Sequence, residues 1–336
     1  MTVMVIGLGS MGRRRIRLLQ KYDLKMKITG IDSVKERCEK AQQEYGINVF
    51  SSVEEACRES DIECAFICTS PLSHAYLITI CLEKNMHVFT ELNLVSIMYD
   101  ENIKLANEKD KVLFLSSTFL YRKEIMYMQE KVQAYGENVN YMYHAGQYLP
   151  DWHPWESYQS FFVGQKKTNG CREFMAIEFP WIIKVFGNIK TVKAAGSKMS
   201  TLEIDYPDNY ILFLEHENGN KGVVTIDIVS RKAIRNLEVF GENIYFTWNG
   251  TPDGLLWYDC TEKKDKKMQL YETVDKRSDY AASIIEDAYY SEISNFFQVI
   301  KGNEKAKYSF MEDKSILKII DYIEEEVEGA ETRSGV

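Results

Sequence analysis

The chain lacks any apolar run close to the roughly 20 residues a membrane-spanning helix requires, which argues against an integral helical membrane protein. It is short of basic charge: 41 Lys and Arg against 50 Asp and Glu leave a net charge of −9, a poor match to nucleic acid or an anionic membrane surface. The amino terminus lacks signal-peptide order, because its arginines follow the first apolar run and that run reads as a strand. The seven cysteines (Cys38, Cys57, Cys64, Cys68, Cys81, Cys171 and Cys260) have no metal-ligand spacing, so no metal site is expected. Cys64 and Cys68 fall on one apolar strand-like run and read as core thiols. An odd count without a secretion signal points to a reducing cytoplasm. There are no internal repeats and no low-complexity tracts.

What is present is concentrated in the first 32 residues. The apolar run Val3–Ile6 leads into Gly7-Leu8-Gly9-Ser10-Met11-Gly12, a helical pattern follows (Ile16, Leu18, Leu19), and Asp32 lies 20 residues past Gly12 at the end of a second short apolar run. In that setting Gly7 permits the tight strand-to-helix turn, Gly9 lets backbone approach a pyrophosphate, and Gly12 allows helix to pack closely on strand. Ser10 and Met11 open the helix, whose free N–H groups and positive dipole favour phosphate. A carboxylate at Asp32 accepts hydrogen bonds from ribose hydroxyls and repels a 2′-phosphate, so NAD is expected over NADP. The alternative is a glycine-rich turn with no nucleotide. Arg13, Arg14 and Arg15 read as solvated charges on the first helix, with Arg13 the one candidate to reach phosphate.

The length fits two domains, expected at 1–120 and 121–330. Strands at 2–7, 27–32, 49–50, 63–68, 87–90 and 112–116 alternate with helices at 11–22, 34–45, 53–58, 71–84 and 99–109, which predicts a Rossmann-type doubly wound parallel sheet. Beyond residue 120 the strand-like runs 139–149, 189–195, 210–216, 222–229, 237–248 and 268–271 follow one another without alternating helices. They predict an α+β domain with a mainly antiparallel sheet. Helices are expected near 170–186, 282–300 and 311–328, with a loose tail from Gly329.

Cys68-Thr69-Ser70-Pro71-Leu72-Ser73-His74-Ala75, the run Asn85–Glu91, Leu237–Glu242 before a glycine turn, and Tyr308–Asp313 opening the last helix together resemble the glucose–fructose oxidoreductase / inositol dehydrogenase / MocA (Gfo/Idh/MocA) family over nearly the whole length. The resemblance implies hydride transfer between a nicotinamide cofactor and a carbinol or carbonyl carbon of a sugar, amino sugar or nucleotide-sugar-like substrate. It adds Thr69, Pro71, His74 and Glu91 to the cofactor residues, with His74 as a loop or capping residue. It also implies substrate contacts at Tyr121 and Arg122, and a homo-oligomer, dimer or tetramer, built through the C-terminal sheet.

Two departures leave the usual chemistry open. Where the family carries Glu-Lys-Pro this chain has Glu91-Leu92-Asn93, and Glu178 stands where the family's acid/base histidine falls. Glu178 or Glu173 could replace it if burial raises a carboxyl pKa. Five positions apart on a helix, the two diverge by about 140° unless Pro180 breaks it. Pairing with Arg172 or Lys184 is the structural alternative. The loop from Gln147 through Asp151, Trp152, His153 and Trp155 combines aromatic faces with polar groups suited to a sugar, and His153 is a third acid/base candidate. A rigid structural loop at a subunit contact is its alternative. Lys166 and Lys167 could bind an anionic group. Loss of both usual proton-transfer residues also fits an NAD-binding sensor or assembly protein. Net isomerisation or elimination through transient oxidation by tightly held NAD is a third reading.

Overall fold

In the computed structural model, which describes residues 1–154, 156–275 and 284–333 (the last four by main chain only), contacts divide the chain into two units. Unit 1 is Met1–Thr118 with Tyr289–Lys314; unit 2 is Phe119–Ala288 with Ser315–Val336. The division expected near residue 120 therefore omits a second crossing: residues 289–314 return to the first unit.

Unit 1 alternates as the periodicity predicts: β1 (Thr2–Ile6), α1 (Ser10–Tyr22), β2 (Lys27–Ile31), α2 (Lys35–Tyr45), β3 (Asn48–Phe50), α3 (Val53–Glu59), β4 (Cys64–Ile67), α4 (Pro71–Glu83), β5 (His87–Thr90), α5 (Tyr99–Glu108) and β6 (Leu113–Leu115). The sheet order β3-β2-β1-β4-β5-β6 is wholly parallel, and the strand order reverses between β1 and β4. In such a sheet the crevice beyond the strand carboxyl ends at that reversal is where ligands bind. β4 is buried at every position, since helices cover both faces of a doubly wound sheet. Phe66, Phe89 and Phe114 stack across β4, β5 and β6, and the Phe296 ring stands edge-on to all three.

Unit 2 holds α6 (Lys123–Tyr135), β7 (Asn140–Gly146), α7 (Gly170–Phe186), β8 (Ile189–Ser197), β9 (Asn209–His216), β10 (Lys221–Asp227), β11 (Ile234–Phe240), β12 (Tyr245–Trp248), β13 (Leu255–Asp259) and β14 (Lys264–Lys267). The last helices are α8 (Glu286–Ile300) and α9 (Phe310–Arg333), each of which spans a boundary between the units. The eight-stranded sheet has order β14-β13-β12-β11-β7-β10-β9-β8 and is antiparallel except where β10 pairs with β7.

Several expectations are corrected here. The 237–248 run is a hairpin, turned where the Gly241 N–H donates to Ile244. The 268–271 strand is replaced by β13 and β14, which meet at a turn whose N–H groups, from Thr261 and Glu262, donate to Asp259. Helix α7 continues through Pro180, and α9 carries the described part of the tail as helix. The start of the helix expected from 282 lies outside the described residues. Among the described residues, no helix is long and apolar enough to cross a membrane.

Candidate functional site

The nucleotide end is built at the carboxyl ends of β1, β2 and β4. Gly7 follows β1 with φ +92°, and a Cβ there would sit 2.8 Å from the Cys68 carbonyl. Gly12 lies in the first turn of α1, where a Cβ would fall 1.8 Å from the Gly7 carbonyl oxygen. Gly9 differs: among the described residues, nothing lies within 4 Å of the point a Cβ would occupy. The second glycine thus faces open space while the first and third face backbone. Gly9 also caps α1, with no side-chain cap and no acidic residue in the first turn, so the helix presents unsatisfied N–H groups and uncompensated positive dipole beside that space. These are the requirements of a pyrophosphate cradle.

Asp32 closes the far side. One carboxylate oxygen accepts the Leu8 N–H at 2.8 Å and the other the Val34 N–H at 2.9 Å, so the carboxylate holds the glycine loop as well as flanking it. Each oxygen has a further lone pair for a ribose hydroxyl. Arg37 lies 3.7 Å from the carboxylate.

Thr69 follows β4, its hydroxyl 2.7 Å from that of Ser73, and Pro71 starts α4. His74 is buried at 1% exposure, one ring nitrogen 3.0 Å from the Thr69 carbonyl and the other 2.6 Å from Asn93 Oδ1. Its ring therefore supports the Thr69 turn from inside and is not a direct ligand contact. Glu91 is engaged internally, accepting from Arg15 Nε at 2.6 Å.

Arg14 and Arg15 are not solvated: both are buried, on the α1 face that packs inward. The spacing Gly12–Arg15–Leu19 carried that signal, since positions three and four apart share a helix face. Glu292, which also binds Arg15, is 277 residues away and had no local signature.

In unit 2, Glu178 is fully buried and fully committed. One oxygen accepts from Arg235 Nε at 2.9 Å, and the other accepts Tyr143 Oη and Trp181 Nε1, each at 2.6 Å. Both Glu178 oxygens are thus taken up by hydrogen bonds within the protein, and its partner is neither Arg172 nor Lys184. Arg172 instead binds Asp321 and Glu324. Glu173, on another face of α7, has a shielded oxygen, Oε2, with no hydrogen-bond partner among the described residues, and burial pushes its carboxyl up to about 7. That places the Glu173 carboxyl for proton exchange near neutrality.

Tyr121 and Arg122 are corrected as well. Tyr121 is buried, and Arg122 is clamped on Glu124 at 2.5 Å and the Gly250 carbonyl at 2.9 Å, with its guanidinium over Trp248. Neither presents a surface to substrate. The loop after β7 brings together Gln147, whose carbonyl accepts Trp152 Nε1 at 3.1 Å, and the Trp152 ring, edge-on to Phe174. His153 lies 2.7 Å from Glu156 and packs on Phe161. Asp151 and Lys167 are exposed, Lys166 pairs with Glu328, and Trp155 lies outside the described residues.

Residues 1–117 match the family model for Gfo/Idh/MocA, the oxidoreductase family with an NAD-binding Rossmann fold. The N-terminal region is thus similar to this family. Solved structures match over almost the full length. A UDP-N-acetylglucosamine 3-dehydrogenase from Acidithiobacillus ferrooxidans is 18% identical with a TM-score of 0.75, and 98% of each chain is covered. An oxidoreductase of Desulfitobacterium hafniense, described as putatively NADPH-dependent, is 14% identical with a TM-score of 0.83, covering 98% of this chain and 96% of that one. The WlbA dehydrogenase of Bordetella pertussis, solved with NADH and UDP-GlcNAcA, is 11% identical with a TM-score of 0.76 and the same coverage. At these identities the likeness establishes the fold. None of the curated proteins matches the chain in sequence.

Proposed function

We propose that the protein is an NAD-dependent dehydrogenase acting on a hydroxyl or carbonyl carbon of a sugar, amino sugar or nucleotide-sugar-like substrate. The observation that carries the cofactor reading is the open space at Gly9 beside an uncapped helix N-terminus, with the Asp32 carboxylate on the loop. Gly7, Gly9, Ser10, Met11 and Gly12 would take the pyrophosphate, Asp32 the adenosine ribose, and the Thr69–Pro71 turn the far half of the dinucleotide. Bound NAD would supply the hydride acceptor. The sugar nucleotides named for two structural neighbours, one in an enzyme name and one as a bound molecule, support the substrate class.

The proton falls to Glu173. Its pKa of about 7 suits a group that must give and take a proton near neutrality, whereas the Glu178 oxygens are already held by Arg235, Tyr143 and Trp181. Gln147, Asp151, Trp152 and Lys167 form the loop set that would meet a sugar or its anionic substituent. We assign the exposed apolar face of the unit 2 sheet to self-association.

Calorimetric titration with NAD and NADP, followed by nicotinamide absorbance during incubation with UDP-N-acetylhexosamines, their uronates and free polyols, tests this reading. NAD is expected to bind at least tenfold more tightly than NADP, Asp32→Ala to erase that margin, and Glu173→Gln to slow turnover about a hundredfold or more. Unchanged NAD affinity in Asp32→Ala would remove the cofactor assignment. Tight NAD binding with no turnover on any substrate would instead favour the sensor or assembly reading, which the apolar Leu92 and the committed Glu178 support.

A further inference from the structure

We infer that Arg15 is a positioning residue for the dinucleotide: its buried guanidinium fixes the rotation of α1 and so the aim of that helix's N-terminal N–H groups. The inference rests on the cofactor assignment to unit 1. Arg15 and Glu292 are both fully buried. Arg15 Nε donates to Glu91 at 2.6 Å, just past β5; Nη2 donates to Glu292 at 2.7 Å, on α8, and to Ser116 Oγ at 3.2 Å, just past β6. The guanidinium lies 4.5 Å from the centre of the Phe89 ring, in the middle of the aromatic stack. Glu292 in turn accepts the Ser117 N–H at 2.7 Å and the Thr118 hydroxyl at 3.1 Å. One cation on the phosphate-facing helix is thus bolted to two strand ends and a distant helix.

The need for it follows from the glycines. Gly12 sets how closely α1 approaches the Gly7 turn, but a contact through a missing side chain leaves the helix free to roll. Arg15, one turn further on the same face, removes that freedom, because a planar guanidinium holding two carboxylates tolerates little rotation. Burying it is costly: Nη1 has no hydrogen-bond partner among the described residues, and a buried ion network of this kind is commonly no more stable than an apolar replacement. Orientation, rather than stability, is what the arrangement supplies.

The test measures NAD and ADP binding by calorimetry alongside ligand-free thermal unfolding for Arg15→Met and Glu292→Gln. ADP carries the pyrophosphate and lacks the nicotinamide half. Both probes are expected to bind about tenfold more weakly to folded Arg15→Met, whatever the direction of its change in melting temperature. A purely structural Arg15 would lower the melting temperature and leave both affinities of the folded protein unchanged, which overturns the proposal. Loss confined to NAD overturns it too, since the effect would then act at Glu91 and not through the helix. If Arg15→Met does not fold, Glu292→Gln carries the same comparison with the same outcomes. Wild-type protein that binds neither probe would remove the cofactor assignment itself, a result distinct from equal binding by wild type and variants.

Discussion

Gly9 and Gly12 sit three residues apart at the start of one helix and should fail in opposite ways. A methyl group at Gly12 falls 1.8 Å from a backbone oxygen that cannot rotate aside, so Gly12→Ala is expected to cost about 3 kcal/mol, the upper end for overpacking. At Gly9 the same methyl meets nothing within 4 Å among the described residues and φ is −68°, so Gly9→Ala should keep its melting temperature and lose NAD affinity. Thermal melts paired with NAD titration separate the two, and equal destabilisation would contradict the assigned roles. Glu173 makes a prediction of opposite electrostatic sign to a salt-bridged acid. Its folded pKa is raised to about 7 from 4.5, so the native state keeps a proton that the unfolded chain has released. Its contribution is complete at low pH and is lost as pH rises from about 4.5 through about 7. Denaturation across that window should show wild-type stability falling relative to Glu173→Gln, which cannot ionise; parallel curves would mean the carboxyl is not shielded.

Between elements, the Glu178–Arg235 pair joins α7 to β11 in unit 2. Replacing Arg235 with Met leaves a fully buried carboxylate with only the neutral donors Tyr143 and Trp181, so urea unfolding is expected to show a loss of about 3–5 kcal/mol. A loss under about 1 kcal/mol would mean that Glu178 takes up a proton readily when its partner goes. This pair also marks where sequence stops being informative. The elements of unit 1 were legible because strands covered on both faces, such as Cys64–Ile67, read as uninterrupted apolar runs between helical periods. β14 was not legible: Lys264–Lys267 is exposed throughout and has no apolar face to pattern. The glycine loop was readable because its residues are local, whereas Glu178 finds Arg235 across 57 residues and Arg15 finds Glu292 across 277. Local spacing identifies what kind of group is present; only the fold shows that the group is already occupied.

At the scale of the whole molecule, the eight-stranded sheet has a face that the described residues leave exposed. Register places Glu238, Met142, Val223, Phe213 and Lys193 in one row across β11, β7, β10, β9 and β8, with Ile211 on the same face. Met142, Val223, Phe213 and Ile211 are each at least 40% exposed, an unusual concentration of apolar side chains on one exposed sheet face. The row is acidic at one end and basic at the other. A second copy laid face to face about a twofold axis, with the row reversed, sets Glu238 of one copy opposite Lys193 of the other and apolar centre against apolar centre. That self-complementarity is what an isologous dimer contact requires. Val223 stands at the middle of the row, so Val223→Lys puts two charges close together on the axis without touching the buried face of β10. Sedimentation at micromolar concentration is expected to show wild type at twice the chain mass or more and Val223→Lys at the mass of one chain, with the melting transition of the variant still cooperative. A wild-type protein of single-chain mass under the same conditions, or a variant that sediments with wild type, would leave the exposed face without this role.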